Sequence, residues 1–270
     1  MGVMSGIRKV WSGPPLSPGL DITGMEVQIA DLAPEFDGFT IAHISDLHIG
    51  RGRWDTPDAK EAIETVRAAS PDVVVNTGDY LWREAPINKV ARESAGFLAS
   101  GDAEVQGPRN LAIFGNHDYY AGEDTIRALT EALQRQGVCL LVNRAVQVRK
   151  GAASLSFVGI TDEEPGVADG IESLEASPRP RVALIHKPDL ARYLPHASAD
   201  LMLAGHTHGG QVTVPGLEAR IVKRFCGSDY VQGMYEINGM PVYVNRGLGC
   251  TGLPLRVRAA PEVTFIRLVR

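Results

Sequence analysis

Five times along this chain an apolar run breaks off into Asp, Asn, His and Gly, and this recurrence restricts the fold more than any other feature. Residues 40–44 give way to Ser45-Asp46-Leu47-His48, and residues 73–75 to Asn76-Thr77-Gly78-Asp79. Residues 111–114 lead into Gly115-Asn116-His117-Asp118, residues 182–185 into His186, and residues 201–204 into Gly205-His206-Thr207-His208-Gly209-Gly210. Short Val- and Ile-rich runs bounded by turn residues read as strands. In α/β sheets, ligands sit in the crevice beyond the carboxyl ends of the strands. Five strands that each end in a coordinating side chain therefore predict one site built from converging loops. Gly78, Gly115 and Gly205 permit the tight turns and close backbone approach it needs.

The segments between carry helical periodicity. Thr56 is a candidate N-cap with Pro57 at the first helical position, after which Ala59, Ala62, Ile63, Val66 and Ala69 share one face. Further helices are expected over residues 88–99 and 124–136, the latter with Ile126, Leu129 and Leu133 inward and Gly137 as its stop. Early strands fall at 25–30, 39–44, 72–76 and 110–114. Beyond Gly137 strands dominate, at 140–148, 154–160, 181–185, 200–204, 211–214, 231–237, 241–245 and 262–269. Asn238-Gly239 is a hairpin signal. The expected architecture is of the α/β (α+β) class, with two packed mixed sheets flanked by helices in a single domain over 22–270. Residues 1–21, with Gly, Pro and Ser but little periodicity, read as a flexible N-terminal arm.

Composition matters mainly for what it excludes. A formal net charge of -5 argues against nucleic acid as a binding partner. Cys139, Cys226 and Cys250 form no C-x-x-C pair and read as thiols. Arg8 and Lys9 are followed by Trp11-Ser12-Gly13-Pro14-Pro15 where a signal peptide needs an apolar core, and Gly6 stands where myristoylation wants Ser or Thr. With no apolar run long enough to cross a bilayer, the expectation is a cytoplasmic chain or one peripheral at the membrane, without signal peptide or transmembrane segment.

Carboxylates, an amide oxygen and imidazoles make a mixed hard and borderline donor set, suited to Mn, Fe or Zn more than to Ca. Two such ions about 3.5–4 Å apart can activate water and clamp both the attacking and leaving oxygens at phosphorus. Each motif alone has an ordinary explanation: Gly-Asp after a strand is usually a turn, and a lone His186 is usually hydrogen-bonded. All five in order favour a metal pair.

The series Asp46-x-His48, Gly78-Asp79, Gly115-Asn116-His117-Asp118, His186 and Gly205-His206-x-His208 resembles the calcineurin-like metallophosphoesterase superfamily over about residues 27–270. Ile44–His48, Gly115–Tyr120 and Gly205–Gln211, with Tyr243-Val244-Asn245-Arg246-Gly247-Leu248-Gly249 and Pro254-Leu255-Arg256, resemble its bacterial YkuE/YaeI-like phosphodiesterase branch. The resemblance implies a four-layer αββα sandwich and a dinuclear centre of two divalent ions, Mn first, with Fe or Zn as alternatives. Asp46, His48 and His208 would hold one ion, and Asn116, His186 and His206 the other, with Asp79 bridging. A metal-bridging hydroxide would attack phosphorus while His117 acts as general acid, and Asp118 either orients that ring or caps a turn. The implied activity is phosphodiester or pyrophosphate hydrolysis. The alternatives are a phosphomonoesterase on proteins or small metabolites, or a non-catalytic scaffold. Members of the branch that cleave UDP-diacylglucosamine make a nucleotide-linked or lipid-linked phosphate ester the implied substrate class, with peripheral membrane contact.

Some residues keep two readings. Arg51 contacts substrate phosphate or is an exposed loop residue. Asn245-Arg246-Gly247 reaches the metal centre or forms a structural turn, and Tyr119 and Tyr120 stack on substrate or pack beneath the loop. His43 and His196 are assigned to structure. Residues 218–230 interleave Arg220, Lys223 and Arg224 with Ile221, Val222 and Phe225, as a membrane-surface loop or a solvated turn.

Overall fold

Successive residues of the apolar runs enter different cores. In the computed structural model, which describes residues 7–12, 19–50, 57–82, 85–161 and 166–270, Val73 and Val75 face one apolar cluster while Val74 faces another. The same alternation separates Val182 and Leu184 from Ala183, and Leu201 and Leu203 from Met202. A strand covered on both faces must be apolar on both, which is why these runs are continuous rather than alternating.

The chain runs through β1 (Ile7–Ser12), β2 (Asp21–Gln28), β3 (Thr40–Ile44), α1 (Pro57–Ala69), β4 (Val73–Asn76), α2 (Ile87–Ser94) and β5 (Asn110–Ala112). There follow α3 (Asn116–Tyr120), α4 (Glu123–Arg135), β6 (Cys139–Leu140), β7 (Arg144–Lys150), β8 (Ala153–Gly159), α5 (Val167–Ala176) and β9 (Arg181–Leu184). The last elements are β10 (Leu201–Ala204), α6 (Glu218–Cys226), β11 (Gly233–Ile237), β12 (Met240–Val244) and β13 (Glu262–Val269). One sheet has the order β1-β2-β13-β3-β4-β5-β6 and the other β11-β12-β10-β9-β8-β7, each mixing parallel and antiparallel pairs.

Met25, Val27, Ile41 and Ile266 of the first sheet meet Leu184, Leu203 and Tyr243 of the second in the central core. Ala62 and Val66 of α1, Val90 of α2, and Leu129 and Leu133 of α4 cover the outer face of the first sheet. Leu174 of α5, with Leu190 and Ala191, covers the second. Helices, sheet, sheet and helices make the four layers expected from the sequence.

Local differences have local causes. Ile7–Ser12, inside the stretch read as a loose arm, is an edge strand pairing antiparallel with β2, and β2 spans Asp21–Gln28 where the strand was expected over 25–30. Main-chain pairing at an edge needs no side-chain periodicity, so the sequence pattern was silent there. Residues 1–6, 13–18 and the Thr56 cap lie outside the described residues. The run 140–148 splits at Asn143, whose positive φ of 49° turns the chain from the first sheet into the second. The helix expected over 88–99 stops at Ser94. Residues 211–214 are no strand: Gly209, Gly210 and Gln211 all have positive φ, and only an isolated bridge joins Val212 to Val257. The supposed loop at 218–230 opens with α6, closed by Gly227 in the left-handed region (φ 72°).

Candidate metal centre

Three of the five polar motifs turn sharply as they leave their strands. Asp46, His48, Asp79, His206 and His208 all have φ between 43° and 73°, a region that costs non-glycine residues energy and that collects at functional sites. Neighbouring glycines make the approach possible. A Cβ on Gly205 would strike Ser45 and the Asp46 carboxylate, and one on Gly115 would strike Asp79 Oδ1 and the His186 ring.

Two clusters of ligand-type atoms result, Asp46 with His48 and His208, and Asp79 with His186 and His206, each with its atoms within 4.8 Å of one another. Asp79 links them, its Oδ2 lying 3.5 Å from His48 Nε2 and 3.3 Å from His186 Nε2. Asp46 Oδ1 is 3.4 Å from His208 Nε2. Ring nitrogens face each other across the clusters, His48 Nε2 to His208 Nε2 at 3.1 Å and His206 Nδ1 to His186 Nε2 at 3.3 Å.

The far nitrogens are held from outside. His48 Nδ1–H donates to the Leu81 carbonyl, His186 Nδ1–H to Thr77 O, and His206 Nε2–H to Cys226 O. Such contacts fix tautomer and ring orientation at metal sites. His208 differs, because the Arg256 guanidinium, a donor only, lies 3.0 Å from its Nδ1.

The electrostatics call for positive charge. Burial raises the Asp46 carboxyl above its usual range. Burial also opposes the charges of Asp79 and His186, yet their mutual attraction wins, holding Asp79 well below the carboxylate range and lifting His186 to about 10. Burial lowers His48 and His206 to about 4 and His208 well below its ordinary value, so these rings are neutral donors. Asn116 Oδ1 is buried without a hydrogen-bond partner. A buried amide oxygen rarely stays unpaired, and cations satisfy both it and the carboxylates. The donor set fits two divalent ions.

The backbone N–H of His117 donates to Asp79 Oδ1 at 2.8 Å, fixing the start of α3 against the centre. Its ring stacks on Trp82 (centroids 5.2 Å apart) and meets His48 edge-on at 4.9 Å. The Asp118 carboxylate accepts from the N–H groups of Gly115 (2.9 Å) and Leu81 (3.0 Å), which makes it a cap tying α3 to the Asp79 loop. Burial pushes that carboxyl up to about 7.

Trp82, missed in the sequence, stands between two clefts. One, of about 410 Å³, runs from His208 to Ile221 and Phe225 of α6 and to Leu253. The other, of about 610 Å³, runs from His117 to Ile87, Tyr120 and Thr125. The residues left with two readings now divide. Tyr119 packs against the core and Tyr120 is exposed in the second cleft. Asn245 makes a turn through Gly247 N–H while the Arg246 side chain pairs with Glu262 and Asp21, and the following residues brace the site through backbone, Gly249 N–H donating to Asp46 O. His43 is buried against Thr77, and His196 is exposed beside the 238–239 turn. Arg51 lies outside the described residues. In the sequence Arg256 carried no role beyond the Pro254-Leu255-Arg256 motif. Its buried guanidinium also donates to the carbonyls of Gly249, Ala259 and Arg246.

The model of the calcineurin-like phosphoesterase family matches residues 39–210. The chain is 32% identical over 244 residues to the uncharacterized metallophosphoesterase YkuE of Bacillus subtilis (strain 168), covering 86% of this chain and 80% of that one. It is 28% identical over 249 residues to YkoQ of the same strain, also an uncharacterized metallophosphoesterase (90% and 88% covered). It is 31% identical over 231 residues to the phosphodiesterase YaeI of Escherichia coli (strain K12), covering 86% and 82%.

Proposed function

The chain belongs to the calcineurin-like phosphoesterase family, and on that premise we propose that it is a two-metal phosphodiesterase in which His117 is the general acid. The observation that carries the reading is Asp79, one carboxylate oxygen of which faces both His48 and His186 and so joins the two ligand clusters. Asp46, His48 and His208 would hold one ion, and Asn116, His186 and His206 the other, with the Asp79 carboxylate shared between the two sets. When bound, two divalent ions supply activation of water and charge stabilisation at the phosphoryl oxygens.

The chain's own residues do the rest. Trp82 fixes the His117 ring by stacking, and the Asp79 contact fixes its backbone, so the imidazole can pass a proton to a leaving oxygen. Asp118 is a positioning residue, holding the start of α3 through its two backbone contacts. A diester has two substituents, and a cleft opens on each side of Trp82, one reaching His117 and the other His208. The leaving group sits in the first and the retained substituent in the second. That geometry favours diesters or pyrophosphates over monoesters, which would leave one cleft empty. Mn is the metal we favour, ahead of Fe or Zn.

The test is hydrolysis of bis(p-nitrophenyl) phosphate by Mn-loaded protein beside p-nitrophenyl phosphate and a nucleotide pyrophosphate. Faster diester or pyrophosphate cleavage is expected. Preference for the monoester would favour the phosphomonoesterase alternative, and inactivity on all three would refute the enzyme claim.

A further inference from the structure

Ten large apolar side chains stand exposed among the described residues, and seven of them lie between residues 212 and 257. Val212, Val214 and Leu217 come from the loop before α6, and Phe225, 78% exposed, from α6 itself. Leu253, Leu255 and Val257 come from the loop after β12. Backbone hydrogen bonds make these segments one surface: Thr213 N–H donates to Val257 O, Val257 N–H to Gln211 O, and Ile221 N–H to Leu217 O.

Charge is patterned on the same face. Leu217, Ile221 and Phe225 are spaced four apart, so they form one ridge of the helix and its approach. Exposed Arg220 and Arg224 form the neighbouring ridge, with Lys223 beside them. Arg258, also exposed, follows the second loop. Two acids lie close by: Glu218 opens α6, and Asp229 is engaged by Lys223 (2.9 Å) and Arg192 (2.9 Å). In a chain of net charge -5, this is a local concentration of cations among exposed apolar groups. An apolar ridge beside a basic one is the pattern of helices that lie in a bilayer interface, with basic groups attracted to anionic head groups.

We propose that α6 and the 212–217 and 251–258 loops dock on an anionic phospholipid bilayer, so that the cleft between Ile221, Phe225 and Leu253 opens into the lipid surface. The cleft leads from that face to His208, so a phosphate ester carrying a lipid chain would reach the metal centre without leaving the membrane. Docking itself does not depend on the proposed chemistry; only the lipid-linked substrate class rests on it.

Vesicle co-sedimentation separates the two claims. The protein should sediment with vesicles of phosphatidylcholine and phosphatidylglycerol, much less with phosphatidylcholine alone, and less again as salt rises. Arg220→Gln/Arg224→Gln should weaken partition roughly tenfold or more, and Leu217→Glu/Leu255→Glu should do so by a similar factor. Both double variants should keep wild-type turnover of bis(p-nitrophenyl) phosphate, which also shows that they fold. No sedimentation with anionic vesicles overturns the proposal, as does binding insensitive to both variants. A wild-type dimer in analytical ultracentrifugation that Leu217→Glu/Leu255→Glu makes monomeric would assign the face to a second copy instead. If wild-type protein lacks activity yet binds anionic vesicles, the catalytic reading fails and the docking surface stands.

Discussion

The loops beyond β3, β4 and β5 deliver three carboxylates, an amide and two imidazoles, whereas those beyond β9 and β10 deliver imidazoles alone. Neither set makes either ligand cluster by itself. Each cluster draws on both sheets, Asp46 and His48 joining His208, and Asp79 joining His186 and His206. The oxygen donors that demand positive charge therefore belong to one sheet, and most of the neutral nitrogen donors to the other. A cation bound between them would tie the sheets together.

The comparison breaks most visibly at Asp79, the residue shared by the two clusters. Asp79→Ala should empty both positions and reduce diester turnover to background, with metal content followed by plasma emission spectroscopy. Retention of both ions would show that Asp79 does not bridge. His117→Ala sharpens the comparison from the other side, since this imidazole comes from the oxygen-rich set but is read as an acid. Turnover should fall roughly 10²–10⁴-fold while metal content stays at the wild-type level. Loss of metal would make His117 a ligand instead.

Much of this site was legible because coordinating side chains follow apolar strands directly in sequence. Asp46, His48, Asp79, Asn116, His117, His186, His206 and His208 stand at the turns where the pattern put them. What the sequence left open depended on direction. Asp118 adjoins His117 in the chain, but its carboxylate turns back to the N–H groups of Gly115 and Leu81, the contacts of a cap. Trp82 gave no signal because a single aromatic after a strand usually packs, and only the folded structure sets its ring on His117. α6 escaped notice since its apolar ridge is exposed, the reverse of the pattern that marks a core helix. β1 gave no signal for a different reason, since its pairing with β2 is a backbone matter.

Arg256 tests how far the nitrogen-only set depends on support. Its guanidinium holds the backbone turns at Gly249 and Ala259 and contacts His208 Nδ1, 48 residues away in sequence. Arg256→Met should weaken metal affinity by the 10–100-fold typical of lost outer contacts, and mainly for the ion of Asp46, His48 and His208. Competition with a chelator, followed ion by ion, distinguishes this from equal weakening of both, which would indicate general loosening.

The sheets also share a link that needs no metal, and it predicts the smallest effect on chemistry. Glu262 on β13 accepts from Tyr243 Oη on β12 at 2.5 Å and from Arg246 Nε at 3.0 Å. Burial opposes the Glu262 charge, but Arg246 and these hydrogen bonds prevail and hold its carboxyl below the usual range. A carboxylate depressed in the folded state adds stability that is full above the unfolded pKa and fades as pH falls through the folded one. Glu262→Gln should therefore cost about 3 kcal/mol at neutral pH and less under acid conditions, so that its stability varies less with pH than that of wild type. Urea denaturation across that range measures both. The loss should be the same with chelator or with Mn, because Glu262 joins the sheets without touching a metal ligand. A loss seen only with Mn present would mean that the two links act as one.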